Sequence, residues 1–208
     1  MLLQDKHLHL ESTIRKLDSV IVAFSGGIDS TLVLAVANKV LKGRVLAVTA
    51  KSNSVPEREL HAAQQLTYAL GIKHKIVETE EMSSPNYLKN PVNRCYYCKS
   101  ELYAKLSIVS SQYKITNILN GINLDDLGDH RPGITAAKEA GIISPLVESR
   151  LNKQDVRNLA CDMGLSNWKK PALACLSSRI PYGQPVTAKK LSMIDRKSTR
   201  LNSSHVLI

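Results

Sequence analysis

Ser25-Gly-Gly-Ile-Asp-Ser30 follows the apolar run Val20-Ile-Val-Ala-Phe24 and leads into Thr31-Leu-Val-Leu-Ala-Val-Ala-Asn-Lys-Val40. That order reads as a strand, a glycine turn and the start of a helix, and it constrains the chain more than any other feature. Glycines let the backbone approach a ligand closely. The free N–H groups of a first helical turn point at that ligand, and the helix dipole favours an anion there. The guest that fits is a phosphate. The plainer reading, an ordinary turn in which Asp29 or Ser30 caps the helix, needs only one of these residues. The segment also lacks the Gly-Lys-Ser/Thr ending that carries a phosphate-gripping lysine in the Walker loop, so this is a different cradle.

At 208 residues the chain is long enough for one well-buried domain. Its apolar runs are strand-sized or broken by charge, short of the roughly 20 residues that span a bilayer. Gln4, Asp5, Lys6, His7 and His9 interrupt any secretory signal at the start, so a cytoplasmic protein with no membrane contact is expected. Four cysteines suit a reducing compartment, where paired cysteines more often hold metal or do redox chemistry than form disulfides. The formal net charge of +10 is spread along the chain rather than gathered into a block, and only seven Tyr, one Trp and one Phe are available for base stacking. These features favour an anionic small substrate over nucleic acid, beside the bland account of a solvated basic surface. Asp195 to His205 has no hydrophobic period and matches the conceptual translation of a widely used sequencing adapter. The fold reasoning therefore covers residues 1–194, with a further C-terminal region opening near 184–194, and the backbone after 194 is expected to be disordered.

Along those residues the hydrophobic pattern predicts an opening helix from Leu3 to Asp18 and strands at Val20–Phe24, Arg44–Ala50, Lys75–Glu78 and Ile115–Leu119. Helices are predicted at Thr31–Val40, Pro56–Leu70, Tyr96–Tyr113, through Ala140, and at Lys153–Met163, with a loop over Ser83–Pro91. Strands alternating with helices imply a doubly wound parallel α/β sheet joined by right-handed crossovers. Ligands in such sheets sit beyond the carboxyl ends of the strands. That rule gathers Ser25–Ser30, the Lys51-Ser52 loop, the loop after Glu78 and the acidic loop from Gly121 through Asp125, Asp126 and Asp129 around one cleft.

Cys95-Tyr-Tyr-Cys98 at a helix start places two thiols on one side, where they can share a metal centre. Cys175, in the polar run Lys170-Pro-Ala-Leu-Ala-Cys-Leu-Ser-Ser-Arg179, is the natural third ligand. Cys161 follows Leu159 and Ala160 in a helical pattern and reads as a buried structural thiol. Three thiolates suit a [4Fe-4S] cluster with one open iron, or Zn with His130 or another group as fourth ligand. The remaining alternative is a pair that binds nothing or works as a dithiol. Asp125 and Asp126 are candidate Mg2+ ligands, with a solvated acidic turn as the plain alternative. Arg131 and Arg179, the latter beside Ser177 and Ser178, are candidate clamps for a phosphate or carboxylate.

Ser-Gly-Gly-x-Asp-Ser after a strand resembles the PP-loop of the ATP pyrophosphatases, which transfer AMP and release pyrophosphate. With Cys95-x-x-Cys98, Arg131-Pro-Gly133, Asn167-Trp168 and Cys175-Leu-Ser-Ser-Arg-Ile-Pro-Tyr-Gly183 in the same order, residues 10 to 194 resemble the LarE family. These are the sacrificial sulfur transferases of nickel-pincer nucleotide synthesis. The resemblance implies that ATP, bound with Mg2+ at Ser25, Gly26, Gly27, Asp29, Ser30, Lys51, Ser52 and Gly121, adenylates a carboxylate of pyridinium-3,5-biscarboxylic acid mononucleotide. Sulfur then displaces AMP, a difficult substitution split into two easier ones. It further implies substrate contacts at Arg131, Ser177, Ser178 and Arg179, with Cys175, Asp29 and Arg179 as catalytic residues. Some members give up the sulfur of a single cysteine. Others use three cysteines and a [4Fe-4S] cluster, and Cys95, Cys98 and Cys175 resemble the second kind. The family's C-terminal part, with further substrate contacts and a homo-oligomer interface, lies beyond this sequence. A tRNA thiolase with an iron–sulfur cluster, an ammonia-using synthetase and a binding module without turnover are the other readings, and Ile28 stands where the thiolases usually have Lys.

Overall fold

A computed structural model describes residues 2–128, 132–172 and 174–204, with side chains to 198. The chain opens with α1 (Leu3–Arg15), β1 (Val20–Ala23), α2 (Ile28–Leu41), β2 (Val45–Lys51), α3 (Glu57–Ala69) and β3 (Lys73–Glu78). It continues through α4 (Pro85–Leu88), α5 (Arg94–Tyr113), β4 (Asn117–Leu119), α6 (Pro132–Glu139), α7 (Pro145–Glu148), α8 (Lys153–Asp162) and α9 (Ala188–Ser204). All strand pairings are parallel, in the order β3-β2-β1-β4. The doubly wound α/β expectation therefore holds. A parallel bridge from Leu119 to Ile143 extends the sheet past β4.

Alternation along β1 explains how both faces are filled. Val20 and Val22 point into a core with Leu10 and Ile14 of α1, Leu32, Val33 and Val36 of α2, and Val156 and Leu159 of α8. Ile21 points the other way, against Leu46, Val48, Tyr103, Leu106, Val109 and Ala136. Each fully buried Leu or Ile contributes about 1.5–3 kcal/mol. α2 is apolar around most of its circumference and is buried accordingly, as expected of a helix inserted between a sheet and other helices. A third, smaller cluster of Tyr87, Leu176, Ile180, Val186 and Leu191 joins α4 to the segment after Cys175.

Several expectations need correcting. Ser83–Pro91 is not all loop: Ser84 accepts a hydrogen bond from Tyr87 N, Pro85 occupies the first turn, and α4 forms. Cys161 is exposed on the outer side of α8, whose inner side presents Val156, Leu159 and Ala160, so it is not a core thiol. The backbone after Ile194 is not disordered through Ser204, because α9 runs through it. Asp195 pairs with Arg58 of α3, and the buried Ser198 hydroxyl meets Arg179.

Candidate nucleotide and thiol site

Ser25–Ser30 spans the turn from β1 into α2. Gly26 takes φ +72°, and a Cβ there would press on Ala63 of α3 at 3.3 Å. Inside the turn Ser25 N donates to Ser30 Oγ at 3.3 Å, Ser30 Oγ donates to the Gly27 carbonyl at 3.1 Å, and Gly27 N donates to Ser25 Oγ at 3.3 Å. Gly27 is the N-cap residue of α2, and no side chain caps the helix. The capping role for Asp29 or Ser30 is therefore absent, and the first turn of α2 stays available to an anion. Asn167 braces the turn from behind, its Nδ2 donating to Gly26 O at 3.2 Å and Thr31 Oγ1 at 2.9 Å, while its buried Oδ1 has no partner.

Gly121, just past β4, lies against this turn. A Cβ at Gly121 would sit 2.7 Å from Ser30 N and 3.0 Å from Asp29 C, so only glycine permits the approach. The following loop then reaches Asp29, whose Oδ1 accepts Asn123 Nδ2 at 3.1 Å and whose Oδ2 accepts Lys153 Nζ at 2.5 Å. Asn123 and Lys153 are functional candidates that sequence reasoning missed. A lysine in the first turn of α8 opposes the helix dipole, and that misfit was the available signal.

The proposed Mg2+ pair is committed elsewhere. Asp125 Oδ2 accepts the backbone N–H of Lys153 at 3.0 Å, and Asp126 Oδ2 accepts that of Asn123 at 3.0 Å. Lys51, at the end of β2, pairs with Glu78 across the strands at 3.1 Å. Ser52 Oγ contacts Ser54 Oγ at 2.8 Å, and Ser54 Oγ donates to Glu81 Oε1 at 2.9 Å. Asp129, His130 and Arg131 lie outside the described residues.

The thiols gather at a second wall of the same loop after β2. Leu176 N donates to Ser54 O at 3.0 Å, and Arg94 Nη1 donates to the Ser177 carbonyl at 2.8 Å, which together bring the stretch at Cys175 between the loop after β2 and the start of α5. Burial pushes the Cys98 thiol up to about 12, and the nearby Glu81, Cys175 and Cys95 push in the same direction. Cys95 and Cys175 are exposed. The three thiols are thus neighbours, but among the described residues no group of three or more His, Cys, Asp or Glu is placed to hold a metal ion. The expected Cys95–Cys98–Cys175 set is not gathered as a metal site in this arrangement, and Asp125 and Asp126 each hold one backbone N–H. Glu81 is buried, with Oε2 unpartnered, and was invisible in the sequence. Burial likewise pushes Tyr87 up to about 12.

Of the expected substrate contacts, Ser178 and Arg179 are exposed, with Ser178 Oγ donating to Cys175 O at 2.7 Å. Ser177 is fully buried instead, its hydroxyl 2.6 Å from Tyr87 Oη. It serves the packing of the loop.

A sheet of this kind with a phosphate cradle at the carboxyl end of β1 defines a PP-loop nucleotide-binding protein, and similarity to known proteins agrees. The NAD synthase family model matches residues 2–121, and the chain belongs to that family. It is 46% identical over 195 residues to an uncharacterised protein of Synechocystis, covering 94% of this chain and 73% of that one. It is 37% identical over 193 residues to the pyridinium-3,5-bisthiocarboxylic acid mononucleotide synthase of Lactiplantibacillus plantarum, covering 92% of this chain and 70% of that enzyme. The fold matches that of an NMN synthetase from Francisella tularensis with a TM-score of 0.67 at 17% identity, over 95% of this chain and 94% of that one. No helix among the described residues is long and apolar enough to cross a membrane.

Proposed function

We propose that this chain is an ATP-dependent sulfur transferase that adenylates a carboxylate of pyridinium-3,5-biscarboxylic acid mononucleotide and converts it to a thiocarboxylate. The observation that supports the reading is that Cys95 and Cys175 neighbour Cys98 beside the loop after β2, in a chain whose β1–α2 turn leaves a helix N-terminus uncapped. The name of the L. plantarum relative gives the substrate class. A substrate carboxylate oxygen attacks the α-phosphorus of ATP and expels pyrophosphate, and a sulfur nucleophile then attacks the acyl carbon and expels AMP. Ser25, Gly26, Gly27 and Ser30 seat the pyrophosphate, and Lys153 supplies the cation that the loop itself lacks. Arg131 and Arg179 hold the anionic groups of the nucleotide substrate, and Mg2+ accompanies ATP. The chain works in the cytoplasm as part of a homo-oligomer.

The sulfur comes from the cysteine group. In donor chemistry the three thiols suit a [4Fe-4S] group, which when bound supplies an open iron for an extra sulfide. The exposure of Cys175 favours a second source, the sulfur of that side chain itself. The test is incubation with ATP and the biscarboxylate mononucleotide, with and without added sulfide. Pyrophosphate, AMP and a product in which sulfur replaces one oxygen are expected. ADP and orthophosphate as the main products would overturn the adenylation step, and multiple turnovers without added sulfide would exclude Cys175 as a consumed donor.

A further inference from the structure

Arg94 immediately precedes Cys95, and among the described residues it is the largest fully buried side chain, with 2% of its surface exposed. A buried guanidinium ordinarily requires a carboxylate. Among the described residues none is within ion-pair distance. Its Nη1 instead donates to two neutral oxygens, Asn90 Oδ1 at 2.5 Å and the Ser177 carbonyl at 2.8 Å, and its guanidinium lies 5.8 Å from the centre of the Tyr182 ring. Asn90 is fully buried in the left-handed region at φ 52°, and its Nδ2 faces the carbonyls of Ile180, Pro181 and Gln184 at 2.8–3.2 Å. Gly183 N donates back to Asn90 O at 2.9 Å, and Tyr87 Oη meets Ser177 Oγ at 2.6 Å.

Apart from the Arg94–Asn90 bond, which ties the segment to itself, these contacts join the 87–94 segment to residues 177–184. The residues just before Cys175 contrast with this, since Pro171, Ala172 and Ala174 are exposed. Cys175 therefore sits at the last free position before a clamped stretch, and the clamp is fixed to the residue next to Cys95. A stretch needing only burial would be held more cheaply by apolar contacts of the kind made by Leu176 and Ile180, because desolvating a cation without a counter-charge is unfavourable.

We propose that Arg94, with Asn90 and Tyr87, is a positioning group that sets the Cys175 thiol against Cys95 and Cys98. This rests on the sulfur-transfer reading for its purpose, not for its geometry. Arg94 holds the Ser177 carbonyl, Tyr87 holds the Ser177 hydroxyl, and Asn90 holds the turn beyond. Together they leave Cys175 only two residues of backbone from a fixed point.

The test uses the whole chain and dibromobimane, a thiol reagent that fluoresces strongly only after bridging two thiols. A Cys175→Ser variant gives the background from Cys95 with Cys98. In the otherwise unchanged protein the Cys175-dependent bridging is expected to be fast. In Arg94→Lys, which keeps the charge and loses the second hydrogen bond, it should fall at least tenfold while ATP binding at Ser25–Ser30 is retained. Tyr87→Phe removes one hydroxyl from the clamp and should slow bridging several-fold, which keeps the proposal testable if Arg94→Lys fails to fold. Bridging at the unmodified rate in either folded variant, or loss of ATP binding in parallel with bridging, would overturn it. The assay uses neither substrate nor sulfide, so a protein that bridges normally and makes no AMP would count against the function and not against the clamp.

Discussion

Gly121→Ala puts the nucleotide cradle to a quantitative test. The added methyl would lie 2.7 Å from Ser30 N and 3.0 Å from Asp29 C and Ser30 Cα, all backbone atoms with no rotamer to yield. Ordinary contact begins near 3.4 Å, so the β4 exit and the first turn of α2 must part by about 0.7 Å. Overpacking of this kind costs about 1–3 kcal/mol. At about 2–4 °C per kcal/mol for a chain of this size, the melting temperature should drop by about 2–12 °C. The displaced atoms are the same N–H groups offered to the phosphates. Losing one charge-assisted hydrogen bond, about 1.5–3 kcal/mol, weakens ATP binding about tenfold to a hundredfold. Gly128→Ala is the matched control, since a Cβ there meets nothing within 4 Å and its φ lies outside the left-handed region. Thermal melts and calorimetric ATP titrations of both variants decide the matter. If Gly121→Ala matches Gly128→Ala in melting temperature and affinity, the close approach of Gly121 to α2 is not what shapes the site.

Lys153→Met should reduce pyrophosphate release at least tenfold with stability changed by no more than about 1 kcal/mol, because the Asp29 pair is partly exposed. A coupled pyrophosphate assay beside a urea melt reads both, and unimpaired release would remove Lys153 from the site. Burial disfavours the Cys98 thiolate and pushes the thiol up from its ordinary 9.0 to about 12. Its contribution is therefore complete below pH 9 and is lost as the pH rises toward 12. The urea midpoint should fall over that window more steeply in the unmodified chain than in Cys98→Ser, and parallel curves would contradict the buried thiol. Ending the chain at Ile194 removes the Arg58–Asp195 pair and the Arg179–Ser198 contact, and the loss should stay near 1 kcal/mol because both arginines remain solvated. A drop of more than 10 °C on differential scanning calorimetry would mean that α9 is integral to the domain.

What the sequence disclosed and what it hid divide along the range of the interactions. β1, α2, β2, α3 and α5 were legible within a few residues, because their hydrophobic periods are local and their burial is nearly complete. α7 and α4, four residues each, gave no period to read. The Ser25–Ser30 cradle was legible for the same local reason, as one strand–turn–helix unit. Lys153 and Asn123 were hidden because they reach Asp29 across 124 and 94 residues of chain, and Asn167, visible as part of a motif, gave no sign of its bond to Gly26 across 141. Cys161 was misread because Leu159 and Ala160 fix the buried side of α8, and a residue one further round the helix turns outward.

The hidden residues also explain a peculiarity of the cradle. A Walker loop carries its cation within the loop, so the loop and its lysine move as one piece. Here the cation comes from the first turn of α8, whose own position is fixed by the Asn152–Asp155 capping box and by the Lys6–Asp155 pair at 2.5 Å. The backbone N–H of Lys153 is held in turn by Asp125. Asp125 of the acidic loop thus helps to aim a lysine, while Asp126 holds the backbone of Asn123, and Asp29 neutralises that lysine at the loop mouth. On the adenylation reading proposed above, an arriving pyrophosphate would compete with Asp29 for the ammonium and release the carboxylate. The affinity of the cradle for anions then depends on how firmly α8 is anchored to α1 and to the loop after β4, two elements that no reading of the Ser25–Ser30 motif would connect to it.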